Sequence, residues 1–291
     1  TWTVSERLDL TAGMRLDYVV RTLQRTVTAN LPPVPPVAAE ADFFTAAPQL
    51  GLQYEVISNV VVYGRSTLGF KPGGFSAYIN PPASPRFATE RNWVSEMGTR
   101  STWLDDRLGV NAALFYSIIW DYQVERTAPN LVDLAVYNAP RVTVYGAELE
   151  LQARPLDGLE LTAAAGVIDS EFDKFTDPGS GLNLAGRRTA YVPQFTATVA
   201  AHYRHRTGWF GRIEYQAIGR TYYDETNTPL LAQNSYNLLH ARLGWETNHL
   251  RFAVFGQNLT DTAYYVRKIA DLIAGVPGWP RVVGVQLELR F

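Results

Sequence analysis

Arginine and tyrosine are the residues best supplied for chemistry in this chain. Tyr78, Arg86, Arg91, Arg141, Arg187, Arg188, Tyr191, Tyr222 and Tyr223 lie in or beside its longest connecting segments. Guanidinium groups and phenol rings together hold an anionic ligand by charge, stacking and cation–π contact. Other chemistries lack their residues. The chain has no cysteine, which removes thiolate chemistry and Cys-bound zinc. His202 and His205 stand three apart beside a short turn, so on a strand they point to opposite faces and make a poor metal pair. His240 and His249 are the remaining histidines. There is no P-loop and no G-x-S-x-G. The paired carboxylates Asp105 and Asp106 fall in a short turn, where solvation is their default. The expectation is no enzyme, no cofactor and no metal site.

The bulk numbers agree. The chain has 291 residues, 46% hydrophobic and 19% charged, a folded rather than disordered balance. A net charge of -2 gives no electrostatic case for nucleic acid. The chain begins at Thr1 without a basic or apolar leader, and the expectation is that it starts well inside a longer protein. No stretch is long and apolar enough for a transmembrane helix. A barrel announces itself by alternation instead.

The elements that must position these arginines and tyrosines have a period of two. Leu8, Leu10, Ala12, Met14, Leu16, Tyr18 and Val20 alternate with Asp9, Thr11, Gly13, Arg15, Asp17 and Val19. Leu108, Val110, Ala112, Leu114, Tyr116, Ile118, Trp120 and Tyr122 form a second apolar row. Tyr145 to Leu151, Leu239 to Trp245 and Val283 to Phe291 repeat the pattern. Successive strand side chains point to opposite faces, so each segment has one greasy and one polar side. Soluble strands average about five or six residues. These run roughly twelve to eighteen, whereas about nine to eleven suffice to cross a bilayer core at a tilt. The apolar rows therefore face outer-membrane lipid. The polar set, Arg15, Asp17, Glu96, Arg100, Glu148, Glu150, Arg212, Glu214, Arg242 and Glu288, faces a wet lumen.

Short and long links alternate. The short ones lie near Ser5–Arg7, Val56–Asn59, Leu104–Arg107, Arg154–Gly158, Arg204–Gly208 and Glu246–His249. The long ones lie near Thr22–Phe44, Lys71–Asn92, Arg126–Asn138, Ser170–Arg188, Tyr223–Ser235 and Thr260–Trp279. Short periplasmic turns and long outer loops are the mark of an outer-membrane barrel. Tyr18, Trp103, Trp120, Tyr122, Tyr203, Trp209, Tyr215, Tyr223 and Trp245 sit near strand ends as interfacial girdles. The predicted fold is all-β: a transmembrane antiparallel up-and-down barrel, partial, with about twelve to thirteen strands of a larger plugged one.

Three motifs then matter. Tyr63-Gly64-Arg65 is followed by Gly69-Phe70-Lys71-Pro72-Gly73-Gly74-Phe75. Asn258-Leu259-Thr260-Asp261 is followed by Tyr264-Tyr265. Gly278-Trp279-Pro280-Arg281 leads into a last strand ending at Phe291. With the blocks Glu96-Met97-Gly98 and Arg107-Leu108 to Phe115-Tyr116, this order resembles the C-terminal half of TonB-dependent receptors, across nearly all of residues 1–291. The resemblance implies a plugged barrel of about 22 strands. It implies a Gram-negative outer-membrane receptor that imports a scarce nutrient by energised transport, foremost a ferric siderophore. The TonB complex would act through a missing N-terminal region, and Phe291 would be read by the outer-membrane assembly machinery. The ligand candidates named first would meet a small molecule such as a ferric siderophore. A passive, porin-like or structural barrel without a plug is the alternative.

Overall fold

The computed structural model describes residues 1–26, 36–76, 86–127, 134–269 and 274–290. The chain runs through β1 (Trp2–Ser5), β2 (Leu8–Arg25), β3 (Val37–Ile57), β4 (Val60–Lys71), β5 (Gly74–Phe75), β6 (Arg86–Phe87), β7 (Glu90–Trp103), β8 (Leu108–Thr127), β9 (Leu134–Leu156) and β10 (Leu159–Lys174). It continues through β11 (Phe195–Arg204), β12 (Trp209–Ile218), β13 (Thr221–Tyr222), β14 (Ala232–Gln233), β15 (Tyr236–Glu246), β16 (Leu250–Gln257), β17 (Tyr265–Ile269), β18 (Ala274–Pro277) and β19 (Val282–Leu289). Thirteen of these form one sheet in sequence order, β1-β2-β3-β4-β7-β8-β9-β10-β11-β12-β15-β16-β19. Neighbours are antiparallel throughout. The other six are short ribbons inside the long connections, β5-β6, β13-β14 and β17-β18.

The alternation decides the two faces. Met14, Leu16 and Tyr18 are 62%, 64% and 66% exposed on one side of β2, an arrangement that only a nonpolar surrounding tolerates along so many strands. Val283, Val285, Leu287 and Leu289 make the same kind of row on β19. The opposite face carries the ion pairs Arg15–Asp17, Arg65–Glu96 and Arg212–Glu214. Rings lie flat on that polar face over glycines of the neighbouring strand. Tyr63 stands opposite Gly98, Phe115 opposite Gly146, Phe210 opposite Gly244 and Phe255 opposite Gly284. A Cβ added at Gly284 would come within 2.6 Å of the Phe255 ring, and one at Gly98 within 2.7 Å of the Tyr63 hydroxyl. An arginine covers three of these rings from above. Arg100 lies 4.8 Å from the Tyr63 centroid, Arg251 4.7 Å from Phe210 and Arg242 5.6 Å from Phe255. Glycine supplies the seat and guanidinium the cover, so an aromatic sits on a wet wall without exposing both sides.

The strands depart from expectation in length. β3, β8 and β9 reach 21, 20 and 23 residues, while β16 and β19 have only 8. The connection expected from Thr22 to Phe44 shrinks, because β2 and β3 stay paired up to Arg25 and Val37. Backbone pairing continues past the membrane when nothing breaks the ladder, even where the apolar pattern has lapsed. Likewise Arg91 belongs to β7 and not to a loop.

One side chain changes face. Asp121 adopts φ 55, a left-handed conformation, and Pro140 follows Ala139 on the partner strand. Asn138 donates its amide to the Asp121 carbonyl at 2.7 Å and holds the turn-over in place. Beyond it, Tyr122 leaves the outward row expected for a girdle and packs edge-on to Phe172 at 5.9 Å. Tyr223 is not in the girdle either, since it lies in the connection after β13. Of the remaining predicted girdle residues, Tyr18, Trp103, Trp120, Tyr203, Trp209 and Tyr215 are exposed on the outward row, and Trp245, opposite Trp209 in register, is half-buried.

Candidate ligand-binding end

The long connections fold back onto the polar face and are tied there. Phe43 and Thr45 on β3 are buried, and the β5-β6 ribbon packs on Phe43. Gly73 fits against the Phe43 ring, and Arg86 lies 5.5 Å from its centroid. The side-chain amide of Gln123 donates to the carbonyls of Pro72 and Ala88, each at 3.0 Å. Ser76 accepts from the Val136 amide at 2.8 Å. The glycine-rich motif is thus a loop fastened to the end of β8 by Gln123 and to the start of β9 by its own Ser76.

A buried apolar cluster, Val124, Ala139, Val142, Phe172, Phe175 and Leu184, lies at the same end, under the connection after β10. Above it, Arg126 grips Asp177 with two bonds of 2.9 Å and Glu225 with one of 2.5 Å. These contacts join the end of β8 to two separate loops. The bidentate Arg126 and the Ser180 hydroxyl hold the Asp177 carboxyl at about 2, whereas burial pushes Glu225 up.

Tyrosines join the last three connections. Tyr191 and Tyr223 lie 5.4 Å apart, and the Tyr191 amide donates to the Tyr222 carbonyl at 2.8 Å. The Tyr223 hydroxyl donates to the Tyr265 carbonyl, and burial pushes that phenol up to about 12. Tyr236 stacks on Tyr264 at 4.5 Å, a contact that needs the bare backbone of Gly278 beside the Tyr264 ring. Tyr236, Tyr264 and Tyr265 were not among the residues singled out for binding. Their signal was present in part: Tyr236 shares the parity of His240 and Arg242, and Tyr264-Tyr265 close a motif.

The predicted ligand residues therefore divide. Tyr191, Tyr222 and Tyr223 come together, with Arg220 over the Tyr222 ring at 4.9 Å. Arg86 joins the β5-β6 ribbon at Phe43. Arg187 is exposed, and its carbonyl accepts from the Phe172 amide at 2.9 Å. Arg188 pairs with Asp169 and donates to the Ile168 carbonyl at 2.7 Å. Arg91 and Arg141 stand opposite Trp120 in register, on the outward face with Met97 and Leu149. Tyr78 and Phe291 lie outside the described residues.

The second motif has a structural task. The Asn258 side chain is buried, donates to the carbonyls of Thr262 and Trp279 at 3.0 Å each, and accepts from the Thr262 amide at 2.9 Å. Asp261 accepts from the Arg281 amide at 3.0 Å. Together they clamp the start of β19 to the end of β16. His240 accepts from the Asn258 amide at 3.3 Å through Nδ1, and His205 bonds Thr207 at 2.6 Å, so both histidines are engaged locally.

A thirteen-stranded wall, greasy outside and charged inside, with its long loops turned inward at one end, is the wall of an outer-membrane receptor barrel. Residues 1–259 match the family described as TonB dependent receptor-like, beta-barrel, and the chain belongs to that family. Its members are transport receptors of the Gram-negative outer membrane, which is where the chain is placed. It is 26% identical over 253 residues to the metal-pseudopaline receptor CntO of Pseudomonas aeruginosa, covering 84% of this chain and 34% of that protein. Its fold matches the ferric yersiniabactin uptake receptor FyuA of Yersinia pestis with a TM-score of 0.85 and 25% identity, over 100% of this chain and 44% of that one. The siderophore receptor PiuA of Acinetobacter baumannii matches at a TM-score of 0.80 and 21% identity, over 98% and 41%. The chain thus spans about a third of the curated relatives it matches and less than half of these solved receptors.

Proposed function

We propose that this chain is the C-terminal barrel portion of an energised receptor that imports a scarce metal as an organic chelate, first of all a ferric siderophore. The observation that carries the reading is the tyrosine assembly Tyr191–Tyr223 with Tyr236–Tyr264, set where three inward-folded loops meet. Rings in this number suit a flat or aromatic chelator better than a bare ion. Arg86, Arg187 and Arg220 add positive charge for an anionic complex. Two relatives point the same way by name, one a metal-pseudopaline receptor and one a ferric yersiniabactin uptake receptor. Energy would come from the TonB complex through a plug segment outside this chain, and Phe291 would serve recognition by the assembly machinery.

The test uses the full-length receptor in a deletion strain starved of iron. Supplying ferric siderophores one at a time should restore growth with at least one of them. Uptake should stop when the proton-motive force is collapsed. Replacing Tyr191 and Tyr223 together by Ala should raise the half-saturating chelate concentration about tenfold or more, the loss of one to two stacking contacts. Uptake that survives the uncoupler would favour a passive pore and overturn the proposal.

A further inference from the structure

The outward face carries charge at a level where the wall should meet lipid headgroups. Arg91 on β7, Trp120 on β8 and Arg141 on β9 are direct register partners, so all three project from one side of the sheet. That side is the lipid side, since the same rows carry Trp93 and Met97 on β7, Tyr116 and Leu114 on β8, and Tyr145 and Leu149 on β9, all exposed. Height follows from counting. Trp103 adjoins a short turn and Trp93 sits near the long-loop end of the same strand. About ten residues at roughly 3.3 Å each, tilted by about 40°, span about 25 Å, the expected height of the apolar band. Arg91 lies two residues further along the strand, about 5 Å higher than Trp93, and is paired in register with Trp120 of the aromatic girdle. Its side chain is therefore outside the hydrocarbon, in the headgroup layer of the outer leaflet.

The chemistry there suits phosphate. Arg91 is exposed and, among the described residues, makes no ion pair. Arg141 bonds Asp173 at 2.5 Å, yet its side chain remains 47% exposed with further N–H groups to offer. The two Cα atoms are two strand spacings apart, about 10 Å, with an indole between them. Two guanidinium groups at that separation can converge on one phosphate or hold two on one headgroup, each by a bidentate fork. The acidic neighbours on this face are Asp169, Glu171 and Asp173. Arg188 pairs Asp169 and Arg141 pairs Asp173, while Lys174, beside Arg141 in register, is exposed. The geometry points to a docking site for a phosphorylated lipid headgroup of the outer leaflet, built from Arg91, Trp120 and Arg141, on the opposite side of the wall from the ligand-binding end.

The experiment is native mass spectrometry of the full-length receptor with added lipid A in mixed micelles. Wild type should retain lipid A, and Arg91→Ala with Arg141→Ala should weaken retention about tenfold or more. Arg91→Lys with Arg141→Lys keeps the charge and the fold but loses the forks, and should fall between the two. Heat-modifiability on gels checks that each barrel is folded. Dephosphorylated lipid A should bind wild type no better than the double Ala variant. Equal retention of lipid A by all folded variants would overturn the site. Competition by inorganic phosphate at equal concentration would also overturn it, by assigning the site to the free ion.

Discussion

Arg126→Ala should loosen two outer loops at once while leaving the barrel wall intact. Arg126 is 18% exposed and Asp177 4%, so removing the guanidinium strands a carboxylate with little access to water. The Asp177 carboxyl stands at about 2 against an ordinary 3.8, a difference of nearly two units caused first by Arg126. At about 1.36 kcal/mol per unit that is about 2 kcal/mol of folded-state preference for the charged form. Stranding a buried partner raises the cost to about 3–5 kcal/mol. A range of about 2–5 kcal/mol converts to a fall in protection of about thirtyfold to five-thousandfold. Hydrogen exchange of the full-length receptor in nanodiscs measures this directly, peptide by peptide. Peptides covering residues 175–187 and 222–228 should exchange faster by that factor, and those of β10 and β12 should not. The sign with pH follows from the lowered carboxyl. Its stabilisation is complete above the unfolded value near 3.8 and is lost as pH falls through about 2, so wild-type loops stay latched at neutral pH. Glu225 works the other way, because burial raises its carboxyl and charging it costs stability as pH rises. Unchanged exchange in both segments would refute the latch.

Two further outcomes test the wall. Gly284→Val places methyl groups where the Phe255 ring lies, within 2.6 Å of the new Cβ, and should cost about 1–3 kcal/mol and lower the yield of heat-modifiable protein. Phe255→Ala in the same chain should recover much of it, and lack of recovery would show that the ring is not the obstacle. Met97→Arg puts a cation on the lipid side near midspan, where Met97 is 63% exposed, and should cost about 2–4 kcal/mol in urea-driven refolding into bilayers. A loss as small as that of an arginine placed on the lumen side would put the lipid on the wrong face.

Much of the wall was legible in the sequence because its cause is local. A strand's side chains alternate whatever it pairs with, so the rows Leu8–Val20 and Val283–Leu289 announced their outward faces in advance. The alternation of short and long links likewise located the turns after β1, β3, β7, β9, β11 and β15. Parity was also the unused signal for Arg91 and Arg141. They share the register of Met97 and Leu149, and only their assignment to connections hid the face they occupy. Strand ends were misread where pairing outran the apolar pattern, as at Arg25 and Val37.

Sequence alone determined the antiparallel wall, its two chemistries, its strand count and the end at which its long loops gather, since each follows from a period of two and from turn spacing. Only the tertiary structure decided that Asp121 turns Tyr122 inward, that Arg126 joins Asp177 to Glu225, and that Tyr191 meets Tyr223. Those contacts link residues up to 99 positions apart through loops without a repeating pattern. Their partners are chosen by which loops fold over the same patch of wall, and no local rule of the chain carries that choice.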